Sequence, residues 1–375
     1  MAVNGFAIVI CILCVARASA TEAGVGGNLR YGTQALVDHI NNLGTTWQAG
    51  FNARFEGVHH HLIRSMLGVR PRRVPRDNSD VRVSSTKLLN LDIPETFDAR
   101  TNWPRCASLK EVRDQSACGS CWAMGAVEAM SDRICVASKG RVQADISGDD
   151  LLSCCSDCGY GCDGGEPLAA WQYWVSHGIV SGSDYAMHAG CKPYPFPPCE
   201  HHTNKTRLKP CSHDLYHTPQ CRRQCQAGYG KAYAQDKHFG LDAYVVDANV
   251  EAIQKELMTH GPVEAAFEVY EDFLHYVGGV YQHHAGRLDG GHAVKVIGWG
   301  KEGDVPYWLV ANSWNKDWGL GGFFKILRGV DECGIESQIV AGRPRLKRSI
   351  KKRRRYRPRS HGPRRMRHRR PRKHH

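Results

Sequence analysis

No stretch of the 375-residue chain reaches the roughly 18 consecutive apolar residues that a membrane-spanning helix needs, which argues against an embedded protein. The segment 343–375 contains 18 Lys and Arg and not one Asp or Glu, a composition that predicts disorder. Cysteine is missing from residues 21–92, although the whole chain carries 16. That stretch is short and polar, and buries too little apolar surface to be stable alone. The first residues also lack Lys and Arg before an apolar run, Phe6 to Val15. Only the amino terminus supplies charge there, yet the run and Ala18-Ser-Ala20 fit a secretory signal with a small-residue cleavage site. The chain is therefore expected to enter the secretory pathway and to end in a lysosomal-type or extracellular compartment, without a membrane anchor.

The net charge of +13 is unevenly placed. Residues 93–342 hold 22 Lys and Arg against 31 Asp and Glu, so the body is acidic and the sequence pI near 9.1 belongs to the tail. Such a tail attracts nucleic acid, sulfated glycans or anionic lipid surfaces by charge, folds back onto the acidic body, or is trimmed away. It has one Tyr and no aromatic interleaving, which excludes base-specific recognition.

Removal of the signal takes Cys11 and Cys14 and leaves 14 cysteines, an even, dense set that suggests a disulfide framework in an exported chain. Spacing alone does not give its connectivity. Cys-x-x-Cys occurs as Cys118/Cys121 and Cys155/Cys158, a spacing that also fits zinc. An oxidising route favours bridges, so no metal and no cofactor is expected.

Four regions follow: a signal over 1–20, a pro-segment over 21–92, a body over 93–342 and the basic tail over 343–375. In the pro-segment, Gln34 to Leu43 has the pattern of a helix, and Arg70-Pro-Arg-Arg-Val-Pro-Arg76 is exposed and protease-sensitive. The first half of the body carries helical patterns such as Leu168 to Val175. The second half has strand-like runs at 244–246, 263–269, 291–299 and 307–312. A helical half followed by a β half, with a cleft between them, is an α+β arrangement. Residues 190–230 are rich in Pro, Cys and His, a long irregular loop of the kind that carries function.

The chemistry centres on Gln115-Ser-Ala-Cys-Gly-Ser-Cys-Trp-Ala123. Apolar residues at 122, 123, 126, 127, 130 and 134 predict a largely buried helix. Cys121 then sits in its first turn, where free N–H groups and the positive dipole end favour a thiolate. The bland alternative is a structural cysteine beside a disulfide. A thiolate nucleophile needs a base and an orienter. His292, in Gly290-Gly-His-Ala-Val294, and Asn312, in Ala311-Asn-Ser-Trp-Asn315, lie on successive strands. Trp314 is placed to shield their bond from water. A transition state also needs oxyanion donors, for which the Gln115 amide and the Cys121 backbone N–H are the candidates.

Over residues 93–342 these motifs resemble the papain-like cysteine peptidases, in their cathepsin B-like branch. The resemblance implies a two-lobed fold, with a helical left lobe and a β-barrel-like right lobe, plus an occluding loop. Cys121, His292, Asn312 and Gln115 fall on the family's nucleophile, base, orienter and oxyanion donor. His292 follows Cys121 by 171 residues, beyond the roughly 130–150 of smaller members, and the 190–230 loop accounts for much of the excess. Trp47-Gln-Ala-Gly50 is similar to the family's short pro-segment, which fills and blocks the cleft. Trp308 to Trp314 and Cys333-Gly-Ile-Glu336 are further family phrases.

Cys199 to Cys211 looks like the occluding loop, with His201 and His202 facing a substrate's free carboxylate. Below about pH 6.5 imidazolium donors attract that anion. The implied activity is dipeptide removal from C-termini, with internal cleavage when the loop opens. Metal binding or plain solvation of the two histidines is the alternative. Asp114 and Asp317 match carboxylates that pin the loop through His201 and Arg207. The resemblance also implies six disulfides, joining Cys106 to Cys135, Cys118 to Cys162, Cys154 to Cys221, Cys155 to Cys158, Cys191 to Cys225 and Cys199 to Cys211. Cys121 and Cys333 then stay reduced. Asn204-Lys-Thr206 is a glycan acceptor on the same loop. Gly164, Gly165, Glu166, Ala266, Ala293, Trp314 and Gln338 are the implied substrate-binding residues. Cystatin-type inhibitors are plausible partners, and the protein is expected to be a monomer.

The sequence departs from the family in four places. Ser116 replaces a glycine in a turn that favours φ > 0, which predicts reduced activity. Met124 replaces a Phe. Gln338 is neutral where a carboxylate often accepts a basic residue two positions before the cut, and Glu166 stands where an aromatic is usual at the same pocket. Glu166 either restores acceptance of Arg or is a solvated rim carboxylate. The rival to a working peptidase is a catalytically weak or dead homologue held on an anionic matrix by its tail.

Overall fold

The computed structural model describes residues 32–52, 55, 60–70, 83–84, 89–200, 208–212 and 214–346. Two elements of the pro-segment come first: α1 (Gln34–Asn42) and β1 (Trp47–Ala49), followed by α2 (His60–Met66). The body opens with β2 (Phe97–Asp98) and α3 (Ala99–Asn102), capped by the Asp98 side chain on the Arg100 N–H. The helical lobe is built from α4 (Cys121–Ala137), α5 (Gly148–Cys154) and α6 (Pro167–Ser176). Ser147 caps α5, and Pro167 begins α6 where its missing N–H costs nothing. Helix α4 is buried from Cys121 to Cys135, its apolar residues packed with Trp122, Trp171 and Trp174 at the centre of the lobe's core and its Glu128, Asp132 and Arg133 buried as well. Met124 is buried in that core against Gly148.

After α7 (Tyr233–Asp236) the chain enters the sheet lobe: β3 (Gly240–Val245), α8 (Val250–His260), β4 (Val263–Tyr270), β5 (Tyr276–Tyr281), β6 (Leu288–Glu302), β7 (Val305–Ala311), β8 (Phe323–Leu327) and β9 (Ile339–Pro344). The strand order is β1-β5-β8-β7-β6-β4-β9-β3, with β2 added on β6. The expected barrel-like lobe is thus an open sheet. Its pairing path ends on β1 at one side and β3 at the other, and no bridge joins these two among the described residues. The long β6 pairs antiparallel with β4 and β7, so that Phe267 lies opposite His292 and Lys295 opposite Ala311.

The two lobes meet along α4, β4 and β6, where buried charges are paired. Arg133 reaches Glu256 at 2.9 Å, and Lys295 reaches Asp132 at 2.9 Å, all four fully buried. Six disulfides staple the body. Cys106–Cys135 ties the end of α4 to the chain before it, and Cys118–Cys162 holds the segment leading into α4 against the segment leading into α6. Cys154–Cys221 and Cys191–Cys225 fasten the long irregular loop to the helical lobe and to itself. Cys155–Cys158 closes a short turn, and Cys199–Cys211 closes the loop that resembles the occluding one. These pairs coincide with the six that the resemblance implies. The zinc alternative for the two Cys-x-x-Cys motifs fails with them, since Cys118, Cys155 and Cys158 are all bridged. Cys121 and Cys333 are reduced.

Candidate active site

Cys121 begins α4 at the bottom of the cleft. Its Sγ accepts hydrogen bonds from the backbone N–H groups of Ala293, Gly68 and Trp122, the Gly68 bond at 3.1 Å. The thiol is nevertheless pushed up to about 11, because burial under the pro-segment outweighs those donors. In this state the helix terminus does not hold a thiolate, contrary to what the helix position alone predicts.

The Ala293 contact places β6 against Cys121, and with it the preceding residue, His292. The ring Nε2–H donates to Asn312 Oδ1 at 2.7 Å, and the same oxygen accepts from the Ser313 N–H at 2.8 Å. This fixes the imidazole's tautomer and orientation. Trp314 stacks on His292 at 4.8 Å between centroids and is itself buried, so the His–Asn bond is shielded from solvent. Gln115 Nε2 donates to Cys118 O and to Met66 O, each at 2.8 Å, while its Oε1 accepts from Ser313 Oγ at 2.7 Å. Ser313 thus aims the Gln115 amide. Sequence reasoning misses it, although it lies between the two chosen residues Asn312 and Trp314.

The cleft is filled by residues 66–70, not by Trp47-Gln-Ala-Gly50. Val69 N–H donates to Gly291 O, Gly165 N–H to Gly68 O, and Arg70 N–H to Gly165 O. Gly68 lies against the floor: a Cβ there would sit 1.8 Å from Gly119 O. The Arg70 guanidinium bonds Asp163 O. Trp47 anchors the pro-segment elsewhere, on β5, packed against Tyr276 and Tyr281 with its Nε1–H on Gln282 O. Beside the cleft, Ala266 pairs with Ala293, and its N–H donates to Gln338 O at 3.0 Å. Glu166, Ala266, Gln338 and Arg70 line one cavity of about 340 Å³. Gly164, with φ 105°, lies against Arg70 and Gly68 of the pro-segment.

At the loop closed by Cys199–Cys211, His201, His202, Asn204 and Arg207 lie outside the described residues. Asp114 holds the loop's root: its carboxylate accepts from the N–H groups of Ser116 and Cys199 and from Asn315 Nδ2. Asp317 lines a cavity with Asp114 and Leu208. Ser116 adopts φ 58°, the region that the family glycine favours, and its hydroxyl donates to Pro197 O at 2.7 Å. Among the described residues no cluster of His, Cys, Asp and Glu is arranged to hold a metal, and no helix is long and apolar enough to cross a membrane.

Comparison with known proteins agrees with this geometry. The papain family cysteine protease model matches residues 93–343, and the peptidase family C1 propeptide model matches residues 33–73. Cathepsin B-like cysteine proteinase 6 of Caenorhabditis elegans is 60% identical over 315 residues, covering 83% of each chain. A cathepsin B-like cysteine proteinase of Schistosoma japonicum is 51% identical over 79% of this chain and 86% of its own. Among solved structures, procathepsin B S9 from Trypanosoma congolense superposes with a TM-score of 0.72 at 37% identity, covering 84% of this chain and 99% of that one. The chain therefore belongs to the papain family of cysteine proteases, as a cathepsin B-like cysteine peptidase made with its propeptide.

Proposed function

We propose that Cys121 is the nucleophile of an acyl-enzyme mechanism, with His292 as base and acid, Asn312 as its orienter, and Gln115 with the Cys121 N–H as oxyanion donors. The observation that carries this reading is the placement of the pro-segment backbone, with Met66 O on the Gln115 amide and Gly68 N–H on the Cys121 sulfur. A peptide carbonyl already occupies the place where the oxyanion would form. With the pro-segment gone, the sulfur attacks a substrate carbonyl and its proton passes to His292. His292 then gives that proton to the leaving amine as the C–N bond breaks. Water, deprotonated by His292, cleaves the thioester and restores Cys121.

In this reading residues 1–20 are a signal, 21–92 the pro-segment and 93–342 the peptidase, and the chain travels the secretory route to a lysosomal or extracellular site. Residues 343–375 would bind anionic polymers or surfaces, and the open cleft would accept cystatin-type inhibitors. Loop 199–211, with His201 and His202 holding a free carboxylate, gives dipeptide release alongside internal cutting. Glu166, facing the cavity that holds Arg70, supports acceptance of Arg two positions before the cut.

The test is to mass-map the products of processed protein on peptides with free or amidated C-termini near pH 5. Stepwise dipeptide loss from free but not from amidated ends, beside internal cuts, is the expected result, and His201→Ala or His202→Ala should reduce the dipeptide loss more than the internal cutting. Internal cuts alone would remove the loop assignment. No cutting, with Cys121 reduced, would remove the catalytic one. Glu166→Ala should lower the Arg-to-Phe preference, and an unchanged ratio would dispose of that role.

A further inference from the structure

The two oxyanion donors belong to opposite ends of one short segment, and those ends share a partner that the mechanism does not use. Gln115 opens the segment and Ser120 closes it, directly before Cys121 and α4. Between them Ser116 stands at φ 58° and Cys118 is tied to Cys162. The phenolic oxygen of Tyr194 reaches both ends: it donates to Gln115 O at 2.9 Å and lies 2.9 Å from Ser120 Oγ. A phenol has one proton, and Gln115 O accepts it, so the Ser120 hydroxyl donates to Tyr194 in turn. All three residues are buried. Burial raises the Tyr194 hydroxyl far above its ordinary value, which keeps that proton on the ring oxygen.

Tyr194 is itself held from behind. Its N–H donates to Ser183 O at 2.9 Å, its ring sits edge-on to Phe196 at 5.3 Å between centroids, and a Cβ on Gly148 of α5 would touch that ring at 3.5 Å. The residue belongs to the long 190–230 loop, which meets the same segment at three other points. Pro197 O accepts from the Ser116 hydroxyl at 2.7 Å, Cys199 N–H donates to Asp114 Oδ2 at 3.2 Å, and Tyr216 N–H donates to Ala117 O at 2.8 Å. These bonds and the Cys118–Cys162 bridge hold Asp114 and the middle of the segment. The Tyr194 pair differs from them: it grips the residue that carries the Gln115 amide and the residue whose peptide carries the Cys121 N–H. On its other side Gln115 is held by Ser313, whose O accepts from the Gln115 N–H at 2.9 Å.

We infer that Tyr194 is a positioning residue for the reaction proposed above, its hydroxyl setting the spacing between the Gln115 amide and the Cys121 N–H. The inference rests on that catalytic reading. Oxyanion donors are effective when they are fixed, before the charge develops, where it will develop. The segment that carries them includes a left-handed residue, and its two ends are bridged by the phenol. Buried as it is, that bridge meets no competition from water for either bond. The irregular loop thereby takes part in the chemistry from beneath the site as well as from its rim.

The experiment uses processed enzyme carrying Tyr194→Phe, Gln115→Ala or both. It measures kcat/KM on a peptide substrate and, separately, the rate at which iodoacetamide alkylates Cys121. Alkylation draws on the thiolate and His292 but forms no oxyanion, so it reports the rest of the site. Tyr194→Phe keeps the ring and should lower kcat/KM on the order of tenfold or more, while the alkylation rate stays within about twofold of wild type. Added to Gln115→Ala, where one of the donors it places is already gone, Tyr194→Phe should cause a smaller further loss. Should Tyr194→Phe not fold, Ser120→Ala removes the bond at the other end and should show the same pattern. An unchanged kcat/KM in the folded variant, a loss matched by equally slowed alkylation, or a full Tyr194→Phe effect in the Gln115→Ala background overturns the inference and leaves the catalytic reading intact. Gln115→Ala with unchanged kcat/KM overturns the oxyanion assignment and the inference with it.

Discussion

Cys121 and Ser116 show how a single position is set by two opposing effects. At Cys121 burial raises the thiol to about 11 although three backbone N–H groups point at the sulfur. Covering the site is therefore itself an inhibitory device: the nucleophile is kept as a thiol, and Gly68 is bonded to it. In the intact zymogen, iodoacetamide labelling of Cys121 followed by mass spectrometry should rise with pH through about 11. After pro-segment removal the midpoint should fall by several units, since the desolvation is relieved and His292 can take the proton. At Ser116 the left-handed backbone costs about 1–2 kcal/mol relative to glycine, while the hydroxyl bond to Pro197 O contributes about 1. Ser116→Gly should then change urea-unfolding stability little, and Ser116→Ala should lose about 1 kcal/mol. Equal losses in both would mean that the hydroxyl, not the backbone, dominates.

Helix α4 was legible because apolar residues recur along it at 122, 123, 126, 127, 130 and 134, the pattern of a largely buried helix, whereas the burial of Glu128, Asp132 and Arg133 was not. His292 and Asn312 were legible because each lies in a local phrase on neighbouring strands, although His292 sits inside β6 and not at its start, while Asn312 directly follows β7. The disulfide partners were legible through the family likeness alone: Cys154 and Cys221 stand 67 residues apart, and nothing local in either stretch selects the other. The open path of the sheet was not legible. It depends on β1 joining β5 across more than 200 residues of chain, a pairing that no local periodicity encodes. Which residues of the pro-segment plug the cleft was not legible either. Trp47 announces itself as a large apolar anchor, whereas Leu67-Gly-Val69 has nothing but a small residue to mark it. That glycine is nevertheless what permits close passage over Gly119, and a methyl group there would strike the Gly119 carbonyl. Gly68→Ala should lift residues 66–70 while α1 and β1 stay docked, at a packing cost of about 1–3 kcal/mol. The full-length, uncleaved zymogen should then hydrolyse a small fluorogenic peptide at least about tenfold faster than wild type. An unchanged initial rate would show that the cleft segment adjusts without leaving.

Across the interface between the lobes, two buried carboxyls respond to acid in opposite senses. Burial alone would raise Glu256, but Arg133, His260 and the hydroxyls of Ser84 and Tyr244 outweigh it and hold the carboxyl at about 2. Its stabilisation is present above the unfolded value near 4.5 and is lost as pH falls through about 2. The shift corresponds to a contribution on the order of 3 kcal/mol. Glu264 lies on β4 beneath α4, accepting a hydrogen bond from Trp171 Nε1 at 2.7 Å, and burial raises its carboxyl well above the ordinary value. Its contribution is complete below the unfolded value and is lost as pH rises through the folded one. Between these limits the fold is most stable in mildly acidic solution, the condition in which imidazolium donors on loop 199–211 would also be charged. Denaturant unfolding of the intact chain, followed from about pH 2 to pH 8, should give a maximum near the unfolded carboxylate range, about pH 4–5. Glu264→Gln keeps the shape and an acceptor for Trp171 but removes the ionisation, so the alkaline side of the curve should flatten. Glu256→Gln strands the Arg133 guanidinium in the interface, and should cost about 3–5 kcal/mol near pH 5 while abolishing much of the acid-side slope. A curve whose acid slope survives Glu256→Gln and whose alkaline slope survives Glu264→Gln would place the acid tolerance of the fold elsewhere than in the joint between its lobes.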